Sequence, residues 1–269
     1  MGSEDDYIFT RDFIDNTRIN LMHHVWTKFF GYSIHPSIPT AEANLRVADV
    51  GTGTGIWLFD VSDKLKDAQL NGLDISFDAA PPNGILPANV TFHQWSVLDD
   101  VPEDLVGVYD IVHVRFLAFV LLGDDIPRVV SKLYSLLKPG GYIQWAEADF
   151  ETVRFDHSTP ESKTDYQSEL MGLLEVQDTR LKPTWVRSLP QIFANHGFVD
   201  VEQDIKDPPP HLAFLFYEAS LLIYELIARK TKNEHLSREL QRLLPGVVKE
   251  LRQGSYGTSL RCTVIGRKP

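Results

Sequence analysis

Two acids and a run of alternating glycines are the residues of this chain best suited to hold a ligand. Asp49 sits in a short apolar run, Val47 to Val50, that breaks into Gly51-Thr52-Gly53-Thr54-Gly55 before Ile56-Trp57-Leu58-Phe59 starts a helical pattern. That order reads as buried strand, glycine turn and helix. Glycines at alternate positions take backbone conformations that a side chain forbids, so a ligand can lie directly on the turn. The helix end is expected to offer unpaired N–H groups to it. Asp74 ends a second apolar strand, Leu70 to Ser76, about 20 residues beyond the glycines, where a carboxylate can accept hydrogen bonds from both hydroxyls of a ribose. An aspartate capping the next turn would look the same. A dinucleotide fingerprint requires glycine where this chain has Ile56, and the lysine of a P-loop is absent.

A second group of polar residues suits work on an acceptor. Trp145, Glu147 and Asp149 alternate along a strand and share one face at the carboxyl ends of the sheet, where an acceptor would enter. A satisfied strand-end acid beside a core tryptophan would give the same pattern. His211 opens a long insertion and is a base only if that helix folds over the site. His113, inside a strand, reads as a buried, hydrogen-bonded histidine. His23 and His24 read as packing at a helix edge, since no acid or cysteine stands around them at metal-ligand spacing, and no metal is expected.

These residues need a scaffold. Asp12 to Phe30 alternates at helical spacing, with Phe13, Leu21, Val25 and Phe29 expected near one face. Pro36 and Pro39 mark a linker to the first strand. Strands follow at Val90 to Val97, Tyr109 to Phe116 and Tyr142 to Ala148, the last introduced by Lys138-Pro139-Gly140-Gly141. Helices are expected at Glu161 to Arg180 and Thr184 to His196, then a strand from Phe198 to Ile205. Pro208-Pro209-Pro210 introduces an apolar helical insertion, Leu212 to Leu251, and a final strand covers Thr258 to Gly266. Alternating strands and helices give a doubly wound α/β sheet. The aromatic stripe of the insertion reads mainly as core, with Phe214 assigned to a substrate pocket.

Composition narrows the function. The formal net charge of −11 argues against a protein built to neutralise phosphates, so no nucleic-acid partner is expected. The single cysteine, Cys262, reads as a core residue of a strand and excludes an internal disulfide, which points to a reducing, cytoplasmic setting. No apolar run is read as long enough to cross a bilayer, and the acidic start is not that of a secretory signal, so no membrane partner is expected.

With Asp49 two residues before GxGxG and Asp74 beyond it, the chain resembles class I S-adenosylmethionine-dependent methyltransferases. LLKPGGYIQWAEAD also matches their pattern, and the segment YIFTRDFIDNTRINLMHHVWTKFFGYSIHP resembles the start of fungal LaeA-like and secondary-metabolite methyltransferases. The resemblance implies a seven-stranded, mostly parallel, Rossmann-like sheet with an N-terminal helical lid over 1–44, a cofactor-binding core over 45–150, and the rest of the sheet with a helical substrate cap over 151–269, in one domain. It implies S-adenosylmethionine as cofactor, contacted by Asp49, Gly51, Thr52, Gly53, Asp74, Ile75, Ser96, Val97 and Arg115. Tyr7 and Arg18 are the implied lid residues, with Arg18 meeting the cofactor carboxylate. Ser96 replaces the acid that many relatives use for adenine, and Phe119 stands where many carry a histidine. Glu147 and His211 are the candidate catalytic residues, and Trp145 and Phe214 the candidate substrate contacts. The implied activity is methylation of an O, N or S atom of a small secondary metabolite. Two alternatives stay open: a LaeA-like regulator acting in the nucleus through protein partners, and a protein of this fold that catalyses a rearrangement without methyl transfer.

Overall fold

The computed structural model describes residues 11–175, 180 and 183–269. Helix α1 (Phe13–Phe30) begins where the Asp12 carboxylate accepts the N–H groups of Ile14 and Asp15, and stops at Gly31, whose φ of 85° ends the helix in a left-handed turn. The stripe it buries differs from the expected one. Phe13 and Leu21 are exposed, whereas Arg18, Met22, Val25, Trp26 and Phe30 face inward, because α1 packs against both the cavity and a later helix.

Strand β1 (Arg46–Val50) leads through the glycine turn into α2 (Ile56–Lys64), then β2 (Gln69–Asp74), β3 (Val90–Gln94), β4 (Tyr109–Arg115), α3 (Ile126–Leu136) and β5 (Leu137–Ala148). β3 is shorter than its apolar run, since Trp95 turns away and donates its indole N–H to the Asp100 carbonyl at 3.0 Å. β5 is longer, because pairing with β4 starts at Leu137 and passes a register shift between Tyr109 and Ile111. The carboxylate of Asp110 fastens this corner, accepting from Arg46 N at 2.7 Å and from Lys138 Nζ at 2.7 and 2.8 Å.

The second half adds β6 (Arg154–His157), α4 (Asp165–Glu175), α5 (Leu189–Asn195), β7 (Val199–Lys206), α6 (Pro210–Lys230), α7 (Glu234–Arg252), β8 (Ser255–Thr258) and β9 (Arg261–Arg267). The main sheet runs β3-β2-β1-β4-β5-β9-β7, and β9 is antiparallel to both neighbours. This is the expected seven-stranded, mostly parallel, doubly wound sheet. The expected last strand, Thr258 to Gly266, loses its start: Thr258 ends a short strand, Ser255–Thr258, that pairs with β6 in a separate ribbon, and only from Arg261 does the chain join the main sheet.

The insertion is two helices rather than one. Asn233 caps α7 by accepting from His235 N and Leu236 N, both at 3.1 Å. α6 is long and apolar enough to cross a bilayer, contrary to the sequence reading that no run reaches that length. Its apolar residues instead pack on α1, α7 and β8: Phe216 meets Trp26 and Phe29, and Leu221 and Ile227 join Leu240 and Leu243. One sheet face is filled by Val129, Leu133, Leu136 and Phe193, and the other by Trp57, Leu58 and Val61. Each fully buried side chain of this kind stabilises the fold by about 1.5–3 kcal/mol.

Candidate functional site

A cavity of about 670 Å³ opens over the carboxyl ends of β1, β2, β4 and β5 and continues under α1 and α6. Its first half is built by the glycine turn. Gly51, Gly53 and Gly55 all have positive φ, 71°, 54° and 75°. A Cβ on Gly51 would lie 2.9 Å from the Leu117 side chain and force it to shift, and the positive φ disfavours any side chain there. The N–H groups of the turn itself are largely taken, whereas among the described residues no bond is seen from those of Ile56, Trp57 and Leu58 at the start of α2. Gly51 N and Thr52 N donate to the Leu73 carbonyl at 2.8 and 3.4 Å, Gly55 N donates to the Thr52 carbonyl at 2.9 Å, and Gly53 N donates to Asp74 Oδ2 at 2.9 Å. The turn therefore contributes a flat surface and a pre-set Asp74 more than donors. Asp74 also accepts from Ser76 N at 3.2 Å, and burial raises its pKa against those bonds.

Asp49 lines the cavity but is already committed. Its Oδ2 accepts from the Thr52 hydroxyl and its Oδ1 lies 2.7 Å from His113 Nδ1. The His113 ring is stacked on Trp57, 3.8 Å between centroids. Burial lowers the pKa of His113 against the opposing pull of Asp49, so the ring is neutral, donates from Nδ1 and presents Nε2 as an acceptor. That Nε2 is buried with no partner among the described residues. This matches the expected hydrogen-bonded histidine and adds an open acceptor on the cavity wall.

Two arginines stand beside it. The Arg18 guanidinium donates twice to Asp15 Oδ1, at 2.9 and 2.6 Å, and both residues are buried, so Arg18 is neither solvated nor a lone charge. Arg115 Nη2 donates to His23 Nδ1 at 2.7 Å. Burial and then the Arg115 charge lower the His23 pKa to about 3, which keeps the ring neutral and able to accept. His23 is therefore buried at the site rather than packed at a helix edge, whereas His24 is exposed. Arg115 itself is lowered to about 10 by burial. The next residue, Phe116, has a φ of 61°, an unfavourable backbone for an aromatic residue, held where the chain turns around the cavity.

Glu147 lies at the junction of the two halves. It is 1% exposed, and its Oε1 accepts three bonds: from Leu117 N at 2.7 Å, Ala118 N at 3.1 Å and Trp145 Nε1 at 2.9 Å. Burial outweighs those donors and raises its pKa to about 8. The carboxyl is thus fixed in orientation and poised to exchange a proton near neutral pH. Asp149, by contrast, is a satisfied strand-end acid: it accepts from Glu151 N at 3.1 Å and from Arg187 Nε at 2.8 Å.

The cavity is also lined by Thr52, Ile75, Ser96 and Val97. Ser96 Oγ accepts from Leu98 N at 3.2 Å and so shapes its own turn. Lys132, unremarked in the sequence, braces that loop by donating to the Leu98 and Asp99 carbonyls, both at 2.5 Å.

Three candidates are corrected and one lies outside the described residues. Trp145 is fully buried against Trp185 and does not line the cavity; its indole N–H orients Glu147 instead. Phe214 packs toward Tyr256, whereas Tyr217, one turn later, and Tyr224, nearly three turns later, reach the cavity, because the docking of α6 on α7 and β8 leaves those positions facing it. His211 is exposed in the first turn of α6 and is absent from the lining, so it has no position from which to serve as base. Tyr7 falls among residues 1–10, which are not described. Among the described residues no cluster suits a metal ion.

The aromatic half of the cavity was largely missed. Phe119, Phe150, Phe155, Tyr217, Ile223 and Tyr224 form its apolar walls, and Tyr217 lies so close to Gly257 that a Cβ there would come within 2.6 Å of the ring. Nothing local in the sequence separates these aromatics from core, since their role depends on how α6 docks.

Residues 22–203 match the family described as "Methyltransferase domain". The N-methyltransferase gliN of Aspergillus fumigatus is 29% identical over 77% of this chain and 73% of its own length. The secondary metabolism regulator LAE1 of Cochliobolus heterostrophus is 25% identical over 74% of this chain and 64% of its own. The matches to other fungal methyltransferases span about half the length of each relative. Among solved structures, phosphoethanolamine N-methyltransferase 2 of Haemonchus contortus superposes with a TM-score of 0.55 at 15% identity, covering 98% of this chain and 59% of that one. This last likeness speaks for the fold alone.

Proposed function

Because the chain belongs to the class I S-adenosylmethionine-dependent methyltransferases of the fungal LaeA-like type, we propose that it methylates an O, N or S atom of a small, largely apolar secondary metabolite. The observation that carries this reading is Glu147, a buried carboxyl with one oxygen held by three donors where the nucleotide half of the cavity meets the aromatic half.

The chain is an enzyme that uses S-adenosylmethionine, and its cavity suits that ligand. Asp74 keeps acceptor capacity beyond its two backbone donors and would take the ribose hydroxyls. Gly51 and Gly53 leave the turn bare, Ile75 and Val97 line a slot for adenine, and His113 Nε2 is a buried acceptor in need of a donor such as an amino group. Arg18 and Arg115 supply positive charge for a carboxylate. When bound, the cofactor supplies an electrophilic methyl group on a sulfonium. The protein holds the acceptor against it, and positioning of this kind replaces much of the activation entropy. Glu147 takes the acceptor proton through its second oxygen, a step worth about 10²- to 10⁴-fold for a phenol or acid.

The test is to incubate the purified protein with methyl-labelled S-adenosylmethionine and a metabolite extract. Label should pass into an organic-soluble product, and an Asp74→Ala variant should bind S-adenosylhomocysteine severalfold more weakly or worse. Failure of the protein to bind either nucleotide would end this reading. Likeness to a regulator supports a second one, action through protein partners; a stable partner captured with no turnover would favour it.

A further inference from the structure

The far end of the acceptor chamber carries a buried cation that the reading above does not use. Arg261, the first residue of β9, is 6% exposed and lines the cavity. Its Nη1 donates to the Ser259 and Leu260 carbonyls at 2.8 and 3.3 Å and to the Ser259 hydroxyl. All of these are neutral acceptors. Its Nε is buried with no partner among the described residues. The acid whose charge it feels, Asp207, is held by Arg154 at 3.0 Å. One face of the guanidinium is covered by the Phe216 ring, 4.8 Å from its centroid. Beside it on the same wall, the Thr258 hydroxyl is 4% exposed at the residue level and likewise has no partner.

A guanidinium removed from water costs several kcal/mol unless an anion or a full set of acceptors compensates it, and most buried polar groups find partners. An arginine and a hydroxyl left short together, on the wall of one chamber, make a binding subsite. The remaining walls are largely aromatic and apolar, with half-buried Arg180 and Ser220 adding polar side chains to them, and a planar fork of N–H donors matches a carboxylate. Register places this subsite relative to the reacting centre. Ala148 pairs with Arg261 and Glu147 with Cys262, so Arg261 and Glu147 project to opposite faces of the sheet and meet the ligand from either side of its rim.

Building on the methyltransferase reading, we infer that Arg261, with Thr258, anchors a carboxylate of the acceptor, and that the substrate is an aromatic or apolar acid rather than a neutral molecule. The Arg261 guanidinium, left without an acid partner among the described residues, calls for one negative charge, which a carboxylate supplies.

The test is calorimetric, on the full chain saturated with S-adenosylhomocysteine. The probes are a panel of aromatic carboxylic acids, 2-naphthoic acid among them, each compared with its primary amide, which keeps the shape and removes the charge. At least one acid should bind roughly tenfold or more tightly than its amide, as a charge-assisted pair implies. Arg261→Gln should bring acid and amide within about twofold, and Thr258→Val should narrow the gap partly, with S-adenosylhomocysteine affinity unchanged in both. Equal binding of acid and amide by the unmodified protein, no binding by any acid, or a preference that survives Arg261→Gln would each overturn the inference. Because the acid–amide comparison uses unmodified protein, it stands even if a variant fails to fold. Loss of S-adenosylhomocysteine binding by the unmodified protein is a separate result, which strikes at the enzyme reading instead.

Discussion

Glu147 lines the cavity with one carboxyl oxygen fixed by Leu117, Ala118 and Trp145. Replacing it by Gln should lower turnover by about tenfold or more while leaving S-adenosylhomocysteine affinity unchanged, since only proton acceptance is lost. Its pKa, raised to about 8 by burial, sets the pH profile. Wild-type turnover should climb as pH rises through about 8, and Glu147→Gln should flatten that climb. Stability has the opposite sign. A carboxyl whose folded pKa is raised stabilises the fold fully below its ordinary range and loses that contribution as pH rises toward about 8. Melting temperature of the wild type should fall across that window, and that of Glu147→Gln should fall less. The sequence placed Glu147 at the right strand end and on one face with Trp145, because alternation is a local property. It did not reveal that Trp145 serves the acid rather than the substrate.

Elements decide whether such residues meet. The glycine turn was legible at the level of Gly51, Gly53 and Asp74, since positive φ and a strand-end acid leave local signatures. Its satisfied N–H groups were not, because the Leu73 carbonyl that absorbs two of them comes from the neighbouring strand. Gly51→Ala should cost about 1–3 kcal/mol and weaken S-adenosylhomocysteine binding, as the new methyl group meets Leu117 at 2.9 Å in a left-handed backbone. Gly140→Ala is the control, with a φ of 82° and open space around it, so it should cost conformation alone and spare binding. Denaturant melts beside calorimetry separate the two effects. Helix α6 shows the limit of periodicity: Phe214 and Tyr217 sit on one apolar stripe, and only its contacts with β8 and α7 decide which reaches the cavity.

For the molecule as a whole, the doubly wound sheet was legible because apolar strands alternate with amphipathic helices and the connecting turns carry glycine and proline. The division of the last strand at Ser259 and Leu260 was not, and with it went Arg261, which in sequence resembles any strand-edge arginine. Since the cavity draws its walls from both ends of the chain, nucleotide binding should stabilise the entire fold. With S-adenosylhomocysteine at about 100 times its dissociation constant, stability should rise by roughly 2.7 kcal/mol and the melting temperature by roughly 5–10 °C, read by differential scanning fluorimetry. No shift would mean that the nucleotide is not held by the native cavity.

The contact between α1 and α6 carries one more consequence. Trp26 and Phe29 clasp Phe216, while Arg18 and Met22 line the cavity from α1 and Tyr217 and Tyr224 line it from α6, so the proposed nucleotide and acceptor sites share these two helices. Both guests therefore live under one roof, and a displacement that frees either of them loosens the shelter of the other. Traffic through the enzyme should be sequential for that reason, with departure of the spent nucleotide tied to departure of the methylated product.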